Sequence, residues 1–180
     1  HIADLIQKAR MEYSDSVPNL RDRMLASTDL MGGIAPKVAP VANFALSLNP
    51  TKALMHATIG VDKHRTFPKY SSGTFEKWFK KEAVGKQKGF KEYVSYFHGC
   101  YVNYNFPQLG KDFVAVMNAL GIGVELLDKE KCCGVAMIAN GMYTKARKNA
   151  VNNVSEISKA VVGKGQKVVA TSTSCTATLR

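Results

Sequence analysis

The order of apolar and polar positions divides the chain into two textures. Up to residue 91 apolar residues recur at helical spacing, but in short bursts. Ile2, Leu5, Ile6 and Ala9 fall on one face and predict an opening helix. Ser16-Val17-Pro18 predicts the start of a second helix, because a first turn has no use for the N–H that proline lacks. Its apolar positions are Leu20, Met24, Leu25 and Leu30, and Gly32-Gly33 stop it. From residue 92 the pattern changes. "EYVSYFHG" is rich in aromatic and β-branched residues and reads as a strand. Asn105-Phe106-Pro107 opens a helix whose buried face is Leu109, Phe113, Val116, Met117 and Leu120, ended by Gly121 and Gly123. "VELLD" is a second strand. Residues 142–162 form a second long helix, with Ala146, Ala150, Val154, Ile157 and Val161 inward, and "KVVATSTS" is a third strand. Strand, helix, strand, helix, strand in that order requires parallel pairing with right-handed crossovers. The fold class is therefore α/β, with a helical and irregular arm over 1–91 and a β-α-β-α-β half-domain over 92–180.

Within the arm, residues 30–61 carry no acidic residue, and Lys37 and Lys52 are their only cations. Pro36, Pro40 and Pro50 break this stretch, so no apolar run reaches the roughly 20 residues that span a bilayer. Three readings stay open: it wraps its own domain, packs on a partner, or lies in a membrane interface. The following stretch, 63–91, holds nine Lys and Arg against Glu76 and Glu82, within a chain of net charge +11. Such a face suits an anionic membrane, an acidic partner or nucleic acid, or is a solvated connector. Phe75, Trp78 and Phe79 at i, i+3 and i+4 fit a buried helix face, and the Trp78-Phe79 pair also fits an anchor at headgroup depth. The N-terminus has no signal-peptide pattern. Lacking an initiator Met, the chain is expected to be a piece of a longer protein.

The four cysteines concentrate the chemistry. They are too few for a disulfide scaffold, which favours a reducing compartment and metal or redox roles. Cys100 follows the first strand, Cys132 and Cys133 the second, and Cys175 the third. The carboxyl ends of parallel strands line one crevice, so thiols separated by 31 and 41 residues are expected to converge. Thiolates are soft ligands for iron–sulfur clusters, zinc or Cu(I). Adjacent cysteines suit a polynuclear cluster, and Gly134 permits close backbone approach. A helix beginning at Gly134 would add its dipole to thiolate stabilisation. His98 is placed to bond a sulfur, or is a plain strand-end residue. His56 and His64 have no assigned role. No glycine-rich phosphate loop and no nucleophile–base pair is present.

"FHGCYVNYNFPQLGKD", "KEKCCGVAMIANG" and "ATSTSCTATLR" resemble the cysteine-rich CCG domain of heterodisulfide reductase, glycolate oxidase and lactate-utilisation iron–sulfur subunits. The resemblance extends through "DLMGGIAP" and "FPKYSSGTFEKWF", and is strongest to the C subunits of bacterial anaerobic glycerol-3-phosphate dehydrogenases. It implies a non-catalytic electron-transfer subunit with a 4Fe–4S cluster on Cys100, Cys132, Cys133 and Cys175. The implied partners are the catalytic A and B subunits and the quinone pool, with electrons passing towards menaquinone. The implied location is peripheral, at the cytoplasmic face of the bacterial inner membrane. Nucleic acid is not among the partners. The family pattern ends C-x-x-C, whereas Thr178 stands here at the second position. That departure carries the alternative expectation, a docking or membrane-anchoring module with a vestigial or zinc-binding cysteine site. A ferredoxin part and a second CCG repeat are expected outside residues 1–180.

Overall fold

A computed structural model describes residues 2–14, 19–27 and 32–180. The expected helix start at Ser16-Val17-Pro18 and the apolar position Leu30 lie outside the described residues. The arm contains α1 (Ile2–Ser14), α2 (Leu20–Leu25), α3 (Ala39–Ser47) and α4 (Asn49–Ile59). Asn19 caps α2, its Oδ1 accepting the N–H of Asp22 at 2.9 Å. Pro40 and Pro50 sit in the first turns of α3 and α4, and Pro36 in a 3-10 turn over Ala35–Val38. The prolines thus punctuate the acid-free stretch into short helices, as their missing N–H requires. Among the described residues no helix is long and apolar enough to cross a membrane.

Thr74 opens α5 (Phe75–Trp78), its Oγ1 accepting the N–H of Lys77 at 3.2 Å, and a π-helical turn continues it through Ala83. There follow β1 (Glu92–Phe97), α6 (Gly99–Tyr104), α7 (Pro107–Ala119), β2 (Ile122–Leu126), α8 (Val135–Ala139), α9 (Tyr143–Ser158), β3 (Lys167–Ala170) and α10 (Thr173–Leu179). The three strands are parallel in the order β2-β1-β3, so β1 is central. Tyr96 pairs with Leu126 on one side and Val169 on the other. The fold is α/β, a helical arm followed by a parallel sheet interleaved with helices.

Alternation along β1 sends side chains to two cores. Val94 and Tyr96 join Phe75, Phe79, Val102, Val114 and Val124. Phe97 joins Leu127, Ala160 and three of the cysteines. Phe75 is fully buried, edge-on to Tyr96, and Tyr96 stacks on Phe113 with ring centroids 4.2 Å apart. Phe79 is buried and Trp78 packs against the same core under the Lys111 ammonium. The headgroup-anchor reading of Trp78-Phe79 is corrected accordingly: the i, i+3, i+4 face is a core face.

Two helix faces also differ from expectation. On α7, Leu109, Phe113 and Met117 pack on the core, but Val116 and Leu120 are exposed. The helix turns Gly110 inward instead, where a Cβ would lie 2.6 Å from the Phe75 ring, so the absence of a side chain sets its closest approach. On α9, Ala146 is buried, but Val154 is exposed and Asn153 and Glu156 are buried; Val161, in the π-helical turn Lys159–Gly163 that follows, is exposed too. β3 ends at Ala170 rather than Ser174, because Ser172 caps α10.

Candidate functional site

The loops leaving the three strands bring the cysteines together. Cys100 lies in the first turn of α6, directly after β1; Cys132 and Cys133 lie between β2 and α8; Cys175 lies in the first turn of α10, after β3. Cys132, Cys133 and Cys175 are buried in one cluster with Phe97 and Leu127, and half-buried Cys100 packs against it. All four are reduced. Two glycines make the approach possible. Gly134 has φ 94°, a left-handed conformation that ends the loop and starts α8, with Ala146 3.4 Å from where a Cβ would sit. Gly99 has φ 72°, and a Cβ there would sit 3.2 Å from the Cys175 sulfur.

The loop ahead of the cysteines is held by a polar stripe on α9. The Asn153 side chain takes both polar groups of Lys131, accepting its N–H at 2.9 Å and donating to its carbonyl at 3.0 Å. Asn149 donates to the Cys132 carbonyl at 3.0 Å and Asn152 to the Lys129 carbonyl at 2.6 Å. Glu156 accepts the Lys129 N–H, and the Lys159 ammonium 2.6 Å away holds its carboxyl below the ordinary range. Buried backbone groups need partners, and here side chains supply them in place of a strand. These residues stand at i, i+3, i+4 and i+7, which is why the apolar face expected on α9 is displaced.

Glu130 ties the loop to the end of β1. Its carboxyl oxygens accept the N–H groups of His98 at 3.1 Å and Gly99 at 2.7 Å. Burial pushes its pKa up to about 8, although the two amides pull the other way. Burial also lowers the pKa of His98, whose Nδ1 lies 3.0 Å from the Gly99 carbonyl and 3.3 Å from Glu130. His98 therefore shapes the turn before Cys100, the plain strand-end role. Neither Glu130 nor the α9 stripe was singled out in the sequence. The Asn-rich run of "KNAVNNVSE" was the available signal, since amides at helical spacing form one face.

The sulfurs engage one another. The Cys132 thiol donates to the Cys100 sulfur at 4.0 Å. Cys133 bonds to both Cys132 and Cys175, and these bonds with burial drive its pKa up. The Cys133 thiol in turn stabilises Cys175, whose pKa falls to about 6 with help from the Ser172 hydroxyl. The helix expected after Gly134 is present, yet the thiol whose pKa falls is Cys175, while that of Cys133 rises. Among the described residues no group of three or more His, Cys, Asp or Glu side chains is arranged to hold a metal ion. The expected iron–sulfur cluster on Cys100, Cys132, Cys133 and Cys175, and the zinc alternative, are corrected by that arrangement: the sulfurs converge but pair with each other. Thiol softness had suggested a cluster, but ligand type fixes neither distance nor direction.

Comparison with known proteins adds the family. The family model of the cysteine-rich domain named CCG matches residues 94–180. Residues 94–180 thus match a CCG-type cysteine-rich domain. The CCG match begins within β1 and takes in all four cysteines. Over 179 residues, 99% of its length, the chain is 52% identical to the C subunit of the anaerobic glycerol-3-phosphate dehydrogenase of Escherichia coli K12, covering 45% of that protein. It is 26% identical over 153 residues, 82% of its length, to the B subunit of the fumarate reductase (CoM/CoB) of Methanothermobacter marburgensis, covering 30% of it. An uncharacterized iron–sulfur protein of Methanococcus maripaludis is 26% identical over 67% of the chain, with 23% of its own length covered. The chain thus spans less than half the length of these curated relatives. No solved structure matches it.

Proposed function

We propose that this chain is a non-catalytic docking module of a membrane-associated oxidoreductase complex of the anaerobic glycerol-3-phosphate dehydrogenase kind. One observation carries the reading. Ile2, Leu5 and Ile6 on α1, Val41 and Phe44 on α3 and Leu54 on α4 are each more than half exposed. Monomeric proteins seldom leave so many large apolar side chains uncovered along one segment, and such surface marks interaction sites. The resemblance in sequence to a protein named as one subunit of a dehydrogenase supports the same conclusion.

In this reading the arm, residues 1–91, makes the attachment, and residues 92–180 form the cysteine-rich unit. The partners are the catalytic A and B subunits, with peripheral contact at the cytoplasmic face of a bacterial inner membrane through the basic 63–91 stretch. The cysteines serve as a buried thiol cluster that closes three strand ends, a vestigial site in metal terms. Quinone-directed electron transfer then has no carrier among the described residues. The test is capture of the A and B subunits by the full chain, compared with a Leu5→Ser, Phe44→Ser double variant. Capture by the native chain and its loss in the variant are expected. Equal capture by both would refute the arm's role.

A further inference from the structure

The arm does not close onto the α/β core everywhere. Between α2, α4, the 61–70 segment and α6 lies a cavity of about 550 Å³, within the usual size of small-molecule sites. Its wall is mainly apolar and aromatic, with Leu46, Met55, Ile59, Phe67 and Tyr101 among the lining side chains. Met24 and Met55 make part of that wall deformable, since the unbranched thioether adapts to its neighbour. Among the described residues the charged lining is Arg21, Asp62 and Arg65. Both arginines are exposed, and neither takes part in an ion pair among the described residues. Asp62 turns one carboxylate oxygen to the N–H of His64 at 2.8 Å. Among the described residues two guanidiniums stand against one carboxylate, so their net charge is positive beside an apolar interior. Guanidinium forks match carboxylates in shape as well as charge.

We propose that this cavity binds a single-chain amphiphile with an anionic head, its chain against Met55, Ile59 and Phe67 and its carboxylate at Arg21 and Arg65. Cys100 also lines the cavity, so an occupant would abut the thiol cluster. The proposal goes beyond docking: attachment uses exposed side chains of α1, α3 and α4 such as Leu5, Phe44 and Leu54, none of which lines this cavity. An anionic chain of this kind exists free in solution or as part of a membrane lipid, and the experiment separates the two sources.

The full chain is titrated calorimetrically with decanoate below its micelle concentration, and in parallel with decanol, decyltrimethylammonium and phosphatidylglycerol vesicles. Saturable binding of decanoate is expected, about tenfold tighter than either of the other two chains. Arg65→Glu should erase that preference, and decanoate should slow maleimide labelling of Cys100. Ile59→Trp should block binding by filling the cavity. Where that variant loses its folded circular-dichroism spectrum, Met55→Trp replaces it. Equal binding of decanol and decanoate, or binding to vesicles without binding of monomeric decanoate, would overturn the proposal. So would full decanoate affinity in a folded cavity-filling variant.

Discussion

The arm and the loop that carries Cys132-Cys133-Gly134 lie at opposite extremes of self-sufficiency. The loop has little regular structure, yet Asn149, Asn152, Asn153, Glu156 and Glu130 meet its backbone groups or tie it to β1. The arm is largely helical, yet it leaves Ile2, Leu5, Val41, Phe44 and Leu54 exposed. Regular structure is therefore a poor guide to which part is complete. The loop is satisfied by its own chain, while the arm's apolar faces stay exposed among the described residues, which is the surface the docking proposal uses.

Substitutions sharpen this contrast, and the largest effect belongs to the core that both regions lean on. Phe75→Ala removes a fully buried ring that packs on Tyr96. It should cost about 3–5 kcal/mol in chemical denaturation. Asn153→Leu should come next. That side chain is fully buried and makes both bonds to Lys131, so the backbone N–H and carbonyl would be left without partners. A loss of roughly 2–4 kcal/mol is expected, with Cys132 and Cys133 becoming more reactive towards maleimide. A loss under about 0.5 kcal/mol would show that the loop does not depend on α9.

Glu130 gives a pH-dependent version of the same test. In the folded chain its carboxyl keeps a proton up to about pH 8, against an ordinary value of 4.5. The folded state binds more protons across that window, so this group lowers stability as pH rises from about 4.5 to about 8. His98 acts in the opposite sense. Its lowered pKa makes the unfolded state the better proton binder, so its contribution is lost as pH falls below 6.5. Glu130→Gln should remove the decline on the alkaline side and leave the acid-side decline in melting temperature. An unchanged profile would mean that Glu130 is ionised throughout. The smallest effect is expected in the arm: Phe44→Ser should shift the stability of the isolated chain by no more than about 0.5 kcal/mol, although it weakens capture of partners. A large destabilisation would show that Phe44 is already covered by its own chain.

Much of the frame was legible in the sequence. The order of strands and helices implied parallel pairing, and strand-end placement implied that Cys100, Cys132, Cys133 and Cys175 converge, as they do. Pro36, Pro40 and Pro50 marked the breaks in the acid-free stretch because proline acts locally, and each falls in the first turn of a short helix. What escaped was decided between elements. Val154 fitted an inward helix face by spacing, but the loop that α9 meets presents backbone amides, and Asn153 and Glu156 answer them better. Val116 gave way to Gly110 because Phe75 comes too close for any side chain. The metal expectation failed for a related reason: residue types announce affinity, while the paired sulfurs depend on angles that no spacing rule contains.

The central claim is that the chain docks without a metal centre. It is tested most directly by co-purifying the full chain anaerobically with the proposed A and B subunits and measuring iron, zinc and subunit content together. The account predicts the full chain in stoichiometric complex, with substoichiometric metal attributable to Cys100, Cys132, Cys133 and Cys175, and assembly retained in a Cys100→Ser, Cys175→Ser variant that melts as a folded protein. Stoichiometric metal that disappears in this variant, together with loss of assembly, would contradict it.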